Sequence, residues 1–234
     1  MRILVTAGPT REPLDPVRFL SNRSSGRMGY ALAACAAARG HRVTLVSGPV
    51  SLPPPPGVTL CAVGTAQEML EAVVRELRAC DALVMAAAVC DWRPATVSRS
   101  KLKKRAGLSE LPLAPTPDIL AHVRPRKGRR IFVGFAAETG NPIAGARRKL
   151  REKGLDLIVA NDVSQADSGF EVDTIRAVLV RPAAAPRKLP LLSKREAADR
   201  VLDWIEKKFG AARGSRRRNP KPIRRPTRSR RSPR

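Results

Sequence analysis

Aromatic residues make up only 3% of the 234-residue sequence, and histidine occurs twice, at His41 and His122. A core must then be assembled from Val, Leu, Ile and Ala. Histidine triads and histidine-rich metal sites are disfavoured, so any chemistry has to run on lysine, asparagine and backbone amides. The four cysteines, Cys35, Cys61, Cys80 and Cys90, form no C-x-x-C and have no histidine close by. They read as reduced core or loop cysteines, not as a zinc site. A membrane span needs about 20 consecutive apolar residues, and the longest apolar run, Asp81 to Val89, falls far short. Met1-Arg2 leads straight into an apolar strand, without the pattern of a secretory leader. A cytoplasmic protein with no membrane contact is expected.

Acidic residues are also scarce, 20 against 45 Lys plus Arg, for a net charge of +25. Arg213 to Arg234 holds 11 basic residues and no acid, with Ile223 as its one large aliphatic side chain. Such a stretch cannot offset its ordering entropy. The expected division is a folded domain over 1–210 and a disordered Arg/Pro/Ser-rich tail over 211–234. Non-specific, salt-sensitive contact with a polyanion suits the tail; without aromatics it has no stacking platform for bases. A nucleic-acid-associated protein is therefore the competing functional class.

Within the body, short apolar runs alternate with helical periodicity. Strands are predicted at Arg2–Thr6, Arg42–Val46, Val58–Val63, Asp81–Val89, Arg130–Phe135, Leu155–Ala160 and Thr174–Val180. Helices are predicted at Gly26–Arg39, after the cap Thr65, at Ala144–Lys153 and at Ser193–Phe209. This alternation predicts an α/β fold: a doubly wound, Rossmann-like, mostly parallel sheet with helices on both faces. Ligands in such folds lie beyond the carboxyl ends of the strands, where three segments stand out.

The first joins strand one to helix one. It is a long loop, Ala7 to Ser25, in place of the G-x-G-x-x-G turn, which disfavours an ordinary nicotinamide enzyme. Its end, Asn22-Arg23-Ser24-Ser25-Gly26-Arg27-Met28-Gly29, offers free amides and Arg27 to a phosphate. The second, Ala86-Ala87-Ala88-Val89-Cys90-Asp91, lets a ligand approach the backbone, with Asp91 as an acceptor. Lys101-Leu102-Lys103-Lys104 follows on a flap-like stretch. The third is Gly134-Phe135-Ala136-Ala137-Glu138-Thr139, with Lys149 and Lys153 one helical turn apart on the next helix.

Thr6-Ala7-Gly8-Pro9-Thr10-Arg11-Glu12-Pro13-Leu14-Asp15-Pro16-Val17-Arg18-Phe19-Leu20-Ser21-Asn22, continuing through Ser24-Ser25-Gly26-Arg27-Met28-Gly29, closely resembles the opening of bacterial phosphopantothenate–cysteine ligases of coenzyme A biosynthesis. The three segments above, Pro117-Asp118-Ile119 and Ala160-Asn161-Asp162-Val163-Ser164 extend the resemblance from about Ile3 to Phe209. It implies a two-step reaction. The carboxylate of 4′-phosphopantothenate attacks the α-phosphate of CTP, accompanied by Mg²⁺, giving an acyl-cytidylate and pyrophosphate. Cysteine then displaces CMP to form the amide.

By the same resemblance, Asn22 is implied in turnover of the acyl-cytidylate, as a donor to the acyl oxygen, and Lys101 in its formation. Asp91, Lys101, Pro117, Phe135, Lys149 and Lys153 are implied in nucleotide binding, and Arg18, Asn22, Ala87 and Ala88 in substrate binding. The residues alone do not distinguish CTP from ATP. No protein ligand to Mg²⁺ is expected, since the ion rides mainly on phosphates. A homodimer is expected, with 108–113 and the late strands as candidate contacts. No FMN site is expected, and the flavin-dependent decarboxylase of the pathway is expected to be a separate protein. Arg23, Cys90 and Trp92 depart from the residues common in the family.

Overall fold

The computed structural model describes residues 1–104, 110–138, 142–162, 167, 169 and 171–217. Twelve strands and five α-helices are present among these residues. In chain order they are β1 (Arg2–Ala7), β2 (Arg11–Pro13), β3 (Phe19–Ser21), α1 (Arg27–Ala38), β4 (Arg42–Ser47), β5 (Val58–Ala62), α2 (Ala66–Leu77) and β6 (Ala82–Met85). There follow β7 (Trp92–Pro94), β8 (Leu113–Pro115), α3 (Ile119–Val123), β9 (Ile131–Glu138), α4 (Pro142–Glu152), β10 (Leu157–Asp162), β11 (Thr174–Val180), β12 (Arg187–Ser193) and α5 (Lys194–Arg217).

Eight strands form one sheet in the order β12-β11-β10-β9-β6-β1-β4-β5. The six from β10 to β5 are parallel; β11 and β12 add antiparallel pairs at one edge. The winding direction reverses between β1 and β6, which makes their carboxyl ends the crevice of the fold. Strands covered on both faces need no alternation of polar residues. Accordingly β6 is buried at every position and β1 at all but its first. One face packs Leu32 and Ala36 of α1 and Val201 and Ile205 of α5. The other packs Met69 and Val73 of α2, Ile119 and Val123 of α3, and Ala146 and Leu150 of α4.

Local signals account for the helix starts. Thr65 accepts from the Glu68 amide (3.2 Å) while Glu68 accepts from Gly64 N (2.6 Å), and buried Glu12 takes the Ala66 amide (2.9 Å). Side-chain capping of this kind stabilises a helix by about 1 kcal/mol. A Cβ at Gly29 would lie 2.5 Å from Ala7 Cβ and 2.9 Å from the Thr6 carbonyl. Only glycine lets α1 rest directly on the end of β1.

The expected doubly wound sheet is present, with differences at its margins. The long Ala7–Ser25 loop contains a hairpin, β2–β3, and the stretch after Asp91 contains another, β7–β8. The strand expected to reach Val89 ends at Met85, because Ala88 turns to bond the Gly8 carbonyl (2.9 Å). Strand β12 went unforeseen: Arg187–Ser193 has no alternation and contains proline, and it is held by antiparallel pairing to β11 at an exposed edge. Helix α5 runs past the expected boundary at Gly210 to Arg217, as Ala211 and Ala212 favour helix. Residues 218–234, most of the expected disordered tail, lie outside the described residues, as do Thr139, Val163, Ser164 and 108–109 of the expected dimer segment. Among the described residues no helix is long and apolar enough to cross a membrane.

Candidate active site

A cleft of about 800 Å³ opens at the carboxyl ends of β1, β6, β9 and β10. Two loops leaving the β1–β6 reversal are stitched together at its base. Ala88 N donates to Gly8 O (2.9 Å) and Thr10 N to Ala88 O (3.4 Å). Two buried threonines complete the seam, Thr6 Oγ1 accepting from Ala87 N (3.1 Å) and Thr10 Oγ1 from Cys90 N (3.0 Å). Small side chains at 86–88 leave the backbone of this seam open to the cleft.

Asn22, just beyond β3, donates its side-chain amide to Ala88 O (3.1 Å) and Val89 O (3.0 Å). An asparagine amide has two hydrogens, and both are committed to the seam. The atom it offers a ligand is the Oδ1 acceptor, which corrects the donor role expected for it.

The glycine turn missing as a contiguous motif is assembled in space. Gly26, immediately before α1, has φ +77°, and a Cβ there would meet Val50 Cγ1 at 2.7 Å and Gly8 Cα at 3.4 Å. Gly8 and Gly26, separated in sequence by the β2–β3 hairpin, thus touch where a short G-x-G turn would run, and Gly29 supplies the close helix–strand contact. No side chain caps α1, and its first turn carries no acid.

Behind Asp91, Thr116 N donates to the Asp91 carbonyl (3.0 Å) and Thr116 Oγ1 to the Cys90 carbonyl. The seam thereby carries the segment 116–118 to the cleft. Asp118 caps α3, accepting from Ala121 N (2.9 Å), and pairs with Lys153 of α4. Burial pushes the Asp118 carboxyl up, but Lys153 and the Ala121 amide outweigh it and hold the group below the usual carboxylate range.

Of the residues expected in the site, Asn22, Ala87, Ala88, Asp91, Pro117, Phe135, Lys149 and Lys153 all line this cleft. Arg18 and Lys101 do not. Their segments meet in a knot around Asp15, which accepts from Arg18 Nε (3.0 Å) and Nη2 (2.6 Å) and from Leu102 N (3.2 Å), while Arg18 Nη2 also donates to Leu102 O (2.8 Å). Arg18 and the neighbouring amides hold the Asp15 carboxyl far below its ordinary value, against the opposing effect of burial. Sequence reasoning assigned no role to Arg148, Asp118, Asn161 or Lys194, which also line the cleft. Asp118 carried a signal as an N-cap; Lys194, distant in sequence, carried none.

Among the described residues no three His, Cys, Asp or Glu side chains converge to hold a metal. The acids lining the cleft are Asp91, Asp118 and Glu152, and Asp118 is already engaged. A protein cage for Mg²⁺ does not fit this donor set, and no chemical step is derived through one.

The model of the DNA/pantothenate metabolism flavoprotein C-terminal domain family matches residues 1–209. The chain belongs to this family. It is 47% identical over 211 residues to the coenzyme A biosynthesis bifunctional protein CoaBC of Vibrio vulnificus, covering 89% of this chain and 52% of that protein. The chain thus spans about half the length of the curated relatives it matches. A solved structure of the C-terminal domain of a CoaBC superposes with a TM-score of 0.76 at 43% identity, over 90% of this chain and 98% of that one. A Cab2 mutant solved in complex with phosphopantothenate-cysteine shares the fold, with a TM-score of 0.74 at 18% identity over 91% and 88% of the two chains.

Proposed function

We propose that this family member ligates cysteine to 4′-phosphopantothenate through an acyl-cytidylate, in the cytoplasm, as a step of coenzyme A biosynthesis. The observation that carries the reading is the cleft itself. Side chains from Asn22 to Lys153, contributed by five separate segments, meet at the β1–β6 reversal in a chain whose relatives are CoaBC proteins. The Cab2 complex with phosphopantothenate-cysteine supports that product as the ligand.

In the first step the pantothenate carboxylate, ionised at neutral pH, attacks the α-phosphate of CTP and expels pyrophosphate. Both partners are anions, so bringing them together is the main barrier. Lys149 and Lys153 reduce it by charge compensation in a site screened from water. Phe135 offers a face to the base, and Asp91 an acceptor to a ribose hydroxyl or amino group. Mg²⁺ enters as the companion of the triphosphate. Lys101 acts here if its flap closes over the triphosphate.

In the second step the cysteine amine attacks the acyl carbon, CMP leaves with the bond electrons, and the amine loses a proton. Asn22 Oδ1, oriented by the two carbonyls that hold its amide, accepts a hydrogen bond from the incoming nitrogen and fixes its approach. A homodimer is part of this proposal. Val17, Phe19, Trp92 and Leu113 are all exposed on the β2–β3 and β7–β8 hairpins, an apolar surface that a second copy would cover.

The test is to mix the protein with CTP, Mg²⁺, phosphopantothenate and cysteine and to measure pyrophosphate and amide formation, with ATP in parallel. Release of pyrophosphate that requires phosphopantothenate is expected. Folded protein that releases none refutes the reading. Lys101→Gln is expected to suppress pyrophosphate release, and unchanged turnover in that variant removes Lys101 from the mechanism.

A further inference from the structure

The cleft has two cationic walls, and the proposed reaction uses one of them. Arg148, Lys149 and Lys153 stand on α4 and its C-terminal end. On the opposite face of the sheet, Arg27 opens α1 and Lys194 opens α5, and both also line the cleft. Lys194 belongs to no motif singled out in the sequence. The packing of α5 against α1 brings it there.

Lys194 is only 7% exposed. Its Nζ donates to the Gly169 carbonyl (3.1 Å), a neutral acceptor, and its backbone N–H to the Asp173 carbonyl (2.8 Å). The charged groups acting on it are Arg27 from α1 and Asp173 from the turn before β11. Arg27 Nη1 donates to Asp173 Oδ1 (2.7 Å) and to the Glu171 carbonyl (3.2 Å). Asp173 is 84% exposed, so water competes for its charge and the pair is weak. Burial, followed by Arg27, pushes the Lys194 ammonium down to about 8, with Asp173 pulling the other way.

A buried ammonium beside a guanidinium is costly in an isolated fold. The cost is recovered when an anion enters between them. The uncapped first turn of α1, lacking acids, adds positive potential at the same end of the cleft. We propose that Arg27 and Lys194 form a second anion subsite on the α1/α5 wall, binding an oxyanion of a substrate, either a nucleotide phosphate or the carboxylate of the amino acid. The subsite rests on the reading above for the identity of its ligand, but not for its existence. It divides the work of the cleft, so that two anionic groups are held by separate cationic walls.

The experiment compares wild type with Lys194→Met, Lys194→Arg and Arg27→Met. CTP with Mg²⁺, inorganic pyrophosphate and cysteine are titrated separately by calorimetry at pH 7 and pH 9, and the melting temperature is recorded for each protein. Lys194→Met is expected to weaken one ligand class at least tenfold while melting no lower than wild type at pH 7, since a disfavoured buried charge is gone. Loss for CTP and pyrophosphate together assigns the phosphate; loss for cysteine alone assigns the carboxylate. Wild-type affinity for that ligand should fall as the pH rises through about 8, and Lys194→Arg should hold it at pH 9. Wild-type affinities in Lys194→Met and Arg27→Met overturn the proposal. So does a weakening that comes with a lower melting temperature and is not restored by arginine. If wild type binds these anions through Lys194 but makes no amide, the ligase reading fails and the subsite stands.

Discussion

The eight-stranded sheet and the two small hairpins obey opposite rules. The sheet hides nearly all its large side chains, with Phe132, Leu83 and Leu157 fully buried, and its strands are joined along a continuous ladder. The hairpins β2–β3 and β7–β8 are two-stranded and expose Phe19, Trp92 and Leu113. Yet the hairpins deliver Asn22 and the Pro117–Asp118 turn to the cleft. Stability resides in the sheet, while positioning of ligands is delegated to elements that could not fold alone. This separation lets the site rest on apolar surface that a second copy would cover without weakening the scaffold.

That contrast can be broken by substitution. The largest effect is expected for Phe132→Ala in β9, which removes a fully buried ring and should cost about 3–5 kcal/mol in chemical denaturation. A smaller loss would mean that the sheet repacks and is not the rigid partner. Asn22→Asp should leave stability nearly unchanged and the acyl-nucleotide trappable. It should slow transfer to cysteine by about 10²–10³-fold, on the scale of losing a positioned polar contact in a transition state, because a carboxylate cannot donate to Ala88 and Val89. Failure to trap an intermediate would sink the role given to Asn22.

Thr65→Ala, at the cap of α2, should cost about 1 kcal/mol by the same denaturation assay, without changing the KM for any substrate. Trp92→Ala on β7 should alter the stability of one protomer by about 0.5 kcal/mol or less, while sedimentation shows weaker self-association. A large destabilisation there would show that the hairpin belongs to the core. The smallest effect concerns pH. Asp118 is held below the usual carboxylate range in the fold, so its pairing stabilises above the ordinary aspartate value. That contribution is lost as the pH falls through the folded value. Asp118→Asn should flatten this part of the acid unfolding profile slightly, the pair being partly exposed.

The parallel strands were legible because β1, β4, β6, β9 and β10 are short apolar runs between helical periods, a pattern that double coverage produces. The hairpins and β12 were not. Strands of three residues carry too few positions for a period, and β12 owes its existence to a backbone partner on β11. The cleft followed the same division. Asn22, Asp91, Phe135, Lys149 and Lys153 sit in motifs whose local order resembles a known family, so the amino-acid order was enough to name them. Which atom of Asn22 faces the ligand depended on Ala88 and Val89, remote in sequence. Arg18 and Lys101 were expected in the site by resemblance, yet their segments gather around Asp15, whose buried carboxylate draws donors from both.

Composition and pattern along the chain were enough to establish an α/β alternation, a crevice at strand ends, a shortage of histidine that leaves lysine and amide chemistry, and a strong positive excess. Those properties are local or additive, and each can be read residue by residue. Three others needed the folded arrangement: Gly8 and Gly26 meet to rebuild a broken turn, Asn22 presents its oxygen, and Lys194 comes to lie beside Arg27. Each is a contact between residues far apart in the chain, and such contacts are set by how helices pack on the sheet, which no window of sequence contains.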